Sequence, residues 1–163
     1  MMEKNHKGHA KMSDMHEDHY RHLALMTGLS FISMYILMYA MVNTFRDVIN
    51  NFNQVYMAGL MTAPMVLIEL VVMKAMYQDK RRNALIIAAS ILALLGFFLF
   101  IRQQAAISDQ QFLRSMIPHH SGAILMCERA SIQDAEIKEL CGNIISSQQE
   151  EIDQMEAILQ RLE

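Results

Sequence analysis

Three long, predominantly apolar runs, residues 23–43, 55–76 and 84–101, limit what this chain can become more than any other feature in it. Each is close to the roughly 20 residues that carry a helix across a bilayer. In hydrocarbon the backbone has to satisfy its own hydrogen bonds, and a single run of this length does so as an α-helix. The connections, 44–54 and 77–83, are short and polar. The first run is too long for the core of a cleavable leader and lacks a small-residue cleavage pattern after it, so it is expected to stay as a membrane helix.

Positive charge orients such helices. Lys4, Lys7, Lys11 and Arg21 precede the first run and Lys80, Arg81 and Arg82 separate the second from the third, whereas the other connection holds only Arg46. The N-terminus and the second connection are therefore expected in the cytoplasm. Three crossings send residues 102–163 to the opposite side, a periplasm or the cell exterior. That segment is too short to bury a large independent core.

Hydrophobic residues, 53% of the chain, gather between residues 23 and 101, and the formal charge of −3 argues against nucleic acid as a partner. Methionine is the outlier, with 16 residues beside no tryptophan, an excess that asks for more than packing. Met26, Met34, Met38 and Met41, then Met57, Met61, Met65, Met73 and Met76, recur on broad faces of the first two runs. They read either as flexible apolar contacts or as a thioether ladder able to pass Cu(I). Glu69 continues the four-residue steps between Met65 and Met73. A carboxyl in a span is costly, so it is functional or a protonated group bonded to a neighbouring helix. Pro64 beside it removes a backbone donor and can open the helix.

Residues 1–22 form a polar, charged tail expected to be disordered. His6, His9, His16, His19 and His22, with Met12 and Met15, are either weak metal collectors or a solvated leader.

Most of the legible chemistry lies in residues 116–126, where adjacent histidines, His119 and His120, stand between Met116 and Met126. At helical spacing Asp109, Phe112, Met116, His120, Ala123, Cys127 and Ala130 share one stripe, with His119 and Met126 on its flank. Ser108 starts the helix as a capping residue with Gln111 three positions on, and Pro118 is expected to kink it. A second helix follows from Asp134, with Ile137, Cys141, Ile144, Gln148, Glu151, Met155, Ile158 and Leu162 at steps of four and three. Folded into an antiparallel hairpin through residues 131–133, the two seams pair Cys127 with Cys141, Ala123 with Ile144, His120 with Gln148, Met116 with Glu151 and Phe112 with Met155.

A histidine, a glutamine and a glutamate in a seam need partners, and a metal ion is one. Thioether sulfur favours soft Cu(I) and Ag(I), and imidazole binds copper in either oxidation state, whereas zinc explains the methionines less well. The plainer reading stands beside this one. Met116, Met126 and Met155 are also good core filler, and His120 opposite Gln148 is also a satisfied buried hydrogen bond. The conjunction of paired histidines, flanking methionines and an opposing polar triplet favours metal. Cys127 and Cys141 are either a disulfide stapling the hairpin or soft ligands.

These residues resemble a known family, the bacterial domain-of-unknown-function family number 305. The resemblance rests on Asp109, Phe112, Met116, His119, His120, Ala123 and Met126, then Ile145, Gln148, Glu151, Ile152 and Met155, about a third of the chain. It implies a ferritin-like helical bundle that binds copper or silver for storage or tolerance, with the HHxxAxxM residues as ligands, in a bacterial plasma membrane. Many relatives carry two hairpins and this chain one, so a four-helix bundle is expected to form from copies of the chain.

The expectation is thus an all-α protein with a tail (1–22), three membrane helices (23–101) and an extracytoplasmic hairpin (102–163). Met116 and His120 are the leading ligands, His119 and Met126 come next, and Gln148, Glu151 and Met155 oppose or support them. The expected partners are the bilayer, further copies of the chain, and a copper donor or acceptor protein. No catalytic residue is expected, because the Glu-x-x-His pairs of a di-iron enzyme are missing from the last two helices. Copper transport through the membrane methionines and a purely structural oligomerisation module are the alternatives.

Overall fold

The computed structural model describes residues 3–162, with side chains from residue 18 to residue 162. The described residues are helical, with no strand. The elements are α1 (Glu3–Leu37), 3-10 turns at Met38–Met41 and Phe45–Asp47, then α2 (Phe52–Val72), α3 (Lys80–Gln103), α4 (Asp109–Arg129) and α5 (Ala135–Leu162). They form two compact units, one of Met1–Met34 with Tyr56–Arg102 and the other of Tyr35–Val55 with Gln103–Glu163.

α1 takes in residues 3–22, which the sequence leaves as a disordered tail. That stretch contains no proline, and Glu3, Lys4, Lys7, Ala10, Lys11, Met12, Met15, Glu17 and Arg21 within it are strong helix formers. The side chains of His6, His9 and His16, with Met12 and Met15, lie outside the described residues. His22 turns Nδ1 to the Asp18 carbonyl oxygen at 2.7 Å, within its own helix.

Three helical stretches, most of whose residues make up the first unit, are long and apolar enough to cross a membrane: Asp18–Met41, Phe52–Val72 and Lys80–Gln103. Their ends differ by a few residues from the expected runs. Met73 and Met76 fall in the turn after α2, held by the Met76 N–H donating to the Met73 carbonyl at 2.9 Å. Asp79 caps α3, accepting from the backbone N–H groups of Arg81 at 2.9 Å and Arg82 at 3.0 Å. The Arg82 N–H, helped by that of Arg81 and by both guanidinium charges, holds the Asp79 carboxyl below the usual carboxylate range. Leu23, Val66, Leu70 and Tyr77 make a small core. Much of the remaining apolar surface faces outward, Leu25, Leu29, Ile68, Leu92, Leu95 and Leu99 among it.

The second unit is an antiparallel hairpin with a strap across it. Ser108 caps α4 as expected, accepting from the Gln111 N–H. Asp134 caps α5 through Oδ1, which accepts from the N–H groups of Glu136 at 2.9 Å and Ile137 at 3.1 Å. Cys127 and Cys141 are joined by a disulfide, with Cα atoms 5.2 Å apart. The core is Leu113, Ile117, Ile124, Ile152 and Leu159, with Ile49, Ile145, Met155 and Ile158 packed on it.

Residues 42–51, expected to be a plain connection, pack on α4 as the strap. The Asn43 N–H donates to Ser121 Oγ at 2.9 Å, and Ser121 Oγ donates to the Asp47 carboxylate at 2.5 Å. Arg46 pairs with Glu156. Gly122 permits the approach, because a Cβ there would stand 3.2 Å from the Met41 carbonyl oxygen. Two partners on two sides widen the buried arc of α4 and turn it away from the expected stripe. Leu113, Ile117, His120, Ser121, Gly122 and Ile124 are buried, while Asp109 and Phe112 are exposed. α4 runs on through Pro118.

In the connection between α3 and α4, Gln104 and Ala106 take positive φ, 49° and 58°. A side-chain-bearing residue in this left-handed region is strained by about 1 kcal/mol.

Candidate metal-binding site

His120 is the buried centre of the histidine–methionine segment, with 7% of its surface exposed. Its Nδ1 lies 2.9 Å from the Met116 carbonyl oxygen, one turn earlier. A carbonyl only accepts, so Nδ1 carries the proton and donates it. Nε2 then faces the Glu151 carboxylate, Oε2 at 2.6 Å. The histidine is thereby held at both nitrogens, and its ring is fixed toward α5.

This pairing corrects the expected register. His120 meets Glu151 instead of Gln148, and Met116 reaches His120 through its carbonyl oxygen. The disulfide pair matches the expectation at the turn end of the hairpin, and the mismatch grows to nearly one turn by His120. Further along, Gln110 Nε2 donates to the Leu162 carbonyl oxygen at 2.6 Å. The drift follows from the strap, which rotates α4 so that Ile117 and Ser121 take the deepest positions.

The remaining expected ligands divide between two faces. Met155 packs against the hydrophobic core, as filler does. Met116 and Gln148 are half-buried. His119 is exposed, its ring 6.2 Å from that of His120 and nearly perpendicular to it. Met126 is 55% exposed. Phe112, His119 and Met126 recur at intervals of seven, one outward stripe, and the last two stand about 10 Å apart along the axis at 1.5 Å per residue. Within one chain, therefore, His119 and Met126 are not a pair closing on His120.

Among the described residues no three His, Cys, Asp or Glu side chains converge as a ligand set. The residues present fit a two-donor half-site, the imidazole of His120 and the carboxylate of Glu151, with the Met116 thioether a turn away. The cysteines, joined to each other, are not free thiolate ligands. The sequence offered no direct sign of the strap residues Asn43, Asp47 and Ser121 that set the orientation of α4, although Ser121-Gly122 beside the histidines marks a close approach.

In the three-helix unit, Glu69 accepts a hydrogen bond from the Tyr77 hydroxyl at 3.3 Å. Burial, then the Glu69 charge, raises the Tyr77 pKa above its ordinary value. Met34 Sδ lies 3.6 Å from Thr62 Oγ1, whose proton goes to the Ala58 carbonyl oxygen at 2.8 Å. Met41, Met61 and Met73 are exposed.

A family model described as "Domain of unknown function (DUF305)" matches residues 70–162, more than the terminal third that carries the resemblance in sequence. The chain is also similar to "Uncharacterized protein L153" of Acanthamoeba polyphaga mimivirus, 36% identical over 140 residues, which cover 84% of this chain and 90% of that protein. No solved structure matches the chain significantly.

Proposed function

The chain belongs to the DUF305 family, and from that premise we propose that it is a membrane-anchored protein that binds a soft metal ion, Cu(I) or Ag(I), to buffer or store it. The observation that carries the reading is the His120–Glu151 pair, a buried imidazole whose Nε2 is aimed at a carboxylate on the facing helix. A cation seated between the two helices could take both of these atoms, the imidazole Nε2 and the carboxylate oxygen, as donors. The neighbouring thioethers Met116 and Met126 and the second imidazole, His119, tilt the preference toward soft ions.

The three apolar helices are the anchor. Their outward leucines and isoleucines need hydrocarbon around them. Charge asymmetry puts the Lys80–Arg82 turn in the cytoplasm and the hairpin on the other side, and a disulfide within the hairpin suits an oxidising compartment. The viral relative gives no reason to make that membrane a bacterial one.

The donor set becomes larger in an oligomer. Phe112, His119 and Met126 form an exposed stripe on α4, and Ile137 and Leu140 add exposed apolar surface on α5. Two copies meeting along that stripe would make a four-helix bundle and bring two His119 and two Met126 side chains together.

Transport through the membrane methionines has less support, because several of them face outward and Glu69 is engaged by Tyr77.

The test is a Cu(I) competition titration of the full chain in detergent, since residues 102–163 alone lack the strap. The double variant His119→Ala, His120→Ala is expected to lose affinity at least about 10- to 100-fold, the range seen when even supporting groups of a site are removed. Equal, weak binding in both proteins would leave a structural hairpin and end the metal reading.

A further inference from the structure

The three-helix unit carries an open, groove-like apolar cavity of about 590 Å³ that the metal reading does not use. It is lined from Tyr20 to Phe31 on α1 and from Ile86 to Phe97 on α3, with α2 between them. Eleven residues of helix rise about 16 Å, close to half of a hydrocarbon core of about 30 Å. The cavity therefore has the depth of one leaflet. Two threonines on its wall add no free polarity. The Thr27 hydroxyl donates to the Leu23 carbonyl oxygen and that of Thr62 to the Ala58 carbonyl oxygen, each at 2.8 Å.

One end of this cavity is charged. Tyr20, which lines it, donates its hydroxyl proton to Asn83 Oδ1 at 2.7 Å and carries the Arg82 guanidinium over its ring at 5.5 Å. Arg82 also pairs with Asp79, and Arg21 with Asp18. Lys80 and Arg81 are exposed beside them, so cations outnumber carboxylates at this end. An apolar slot one leaflet deep with a basic rim is complementary to a single kind of molecule, an amphiphile with an anionic head.

We propose that the three-helix unit binds an anionic phospholipid, its phosphate at Lys80, Arg81 and Arg82 and one acyl chain in the cavity that ends at Phe31 and Phe97. The chain is then more than anchored in the bilayer, because it selects a lipid on the leaflet where its positive turn lies. The proposal rests on the membrane placement given above and is independent of metal binding.

Gly28 supplies the test. It lines the cavity, and a Cβ built on it meets nothing within 4 Å. Gly28→Leu would fill the slot while improving helix propensity. The full chain, purified in detergent and exchanged into mixed micelles holding equal amounts of phosphatidylglycerol and phosphatidylcholine, is examined by native mass spectrometry for retained lipid. The expected result is one phosphatidylglycerol retained preferentially, a preference reduced about fivefold for each charge removed in Lys80→Gln and Arg81→Gln, and no retained lipid in Gly28→Leu. Equal retention of both lipids, or undiminished retention in Gly28→Leu, would overturn the proposal. Inorganic phosphate alone is expected not to compete, and full competition by it would reduce the site to the basic turn and overturn the acyl slot. Extraction of the protein from membranes by alkaline carbonate would instead overturn the membrane placement itself.

Discussion

Leu92, Leu95 and Leu99 on α3 stand in the open, while Leu113, Ile117 and Ile124 on α4, about twenty residues later in the same chain, are hidden. Within the most apolar windows of the first and third long helices only 6% is buried. The hairpin unit reverses the pattern for polar groups too, because Asp47 and Ser121 are buried there and bonded to each other. In the three-helix unit the buried hydroxyls of Thr62 and Thr27 close onto their own helices instead. One chain thus follows two solvent rules. Where apolar surface is left outside, hydrocarbon is the fitting solvent; where it is gathered inside and polar atoms are paired across elements, water is.

The sharpest way to break this contrast is to exchange the two kinds of side chain. Ile117→Ala should cost about 2–5 kcal/mol of hairpin stability by opening a cavity at a fully buried site, measured as a fall in the denaturation midpoint. Leu92→Lys should cost about 2.5–3.5 kcal/mol of membrane insertion, read as loss of the protein from the carbonate-resistant fraction. If Leu92→Lys were harmless, the first unit would be facing water.

A smaller effect separates the two uses of hydroxyls. Ser121→Ala leaves the Asp47 carboxylate and the Asn43 N–H without the oxygen between them, at about 1–3 kcal/mol. Thr62→Val removes a hydroxyl that serves its own helix and should change stability by less than about 0.5 kcal/mol. Equal effects in thermal melts would erase the distinction.

The smallest effect is one of pH. Tyr77 has its pKa raised in the folded chain above its ordinary 10.0. The unfolded chain therefore loses that proton first as pH rises, so the stabilisation is fully present below about pH 10 and is lost through the folded value above it. Melts in detergent at pH 9 and pH 11 should show an alkaline loss that Tyr77→Phe reduces.

The sequence discloses these two regions unequally. The apolar helices follow from hydropathy alone, since length and composition suffice to define them. Ser108 and the Cys127–Cys141 pair are also legible, because a cap is local and the disulfide lies near the turn, where little register error accumulates. The partner of His120 is not. Which face of α4 is buried depends on the strap, and the strap is a tertiary event written only in Asn43, Asp47 and the small pair Ser121-Gly122. A two-helix seam read without it turns α4 too little and places Gln148 where Glu151 belongs. For the same reason Met155, expected among the ligands, lies in the core.

The proposed placement of the Lys80–Arg82 turn and the hairpin on opposite sides of a bilayer is best tested with a membrane-impermeant amine reagent and mass spectrometry of the labelled lysines. Lys138 is exposed on the hairpin, and Lys80 is exposed in the turn before α3. Intact cells should give label on Lys138 and none on Lys80, and inverted vesicles the reverse. Label on both lysines from the same side would contradict the three crossings, and with them the separation on which this reading of the molecule depends.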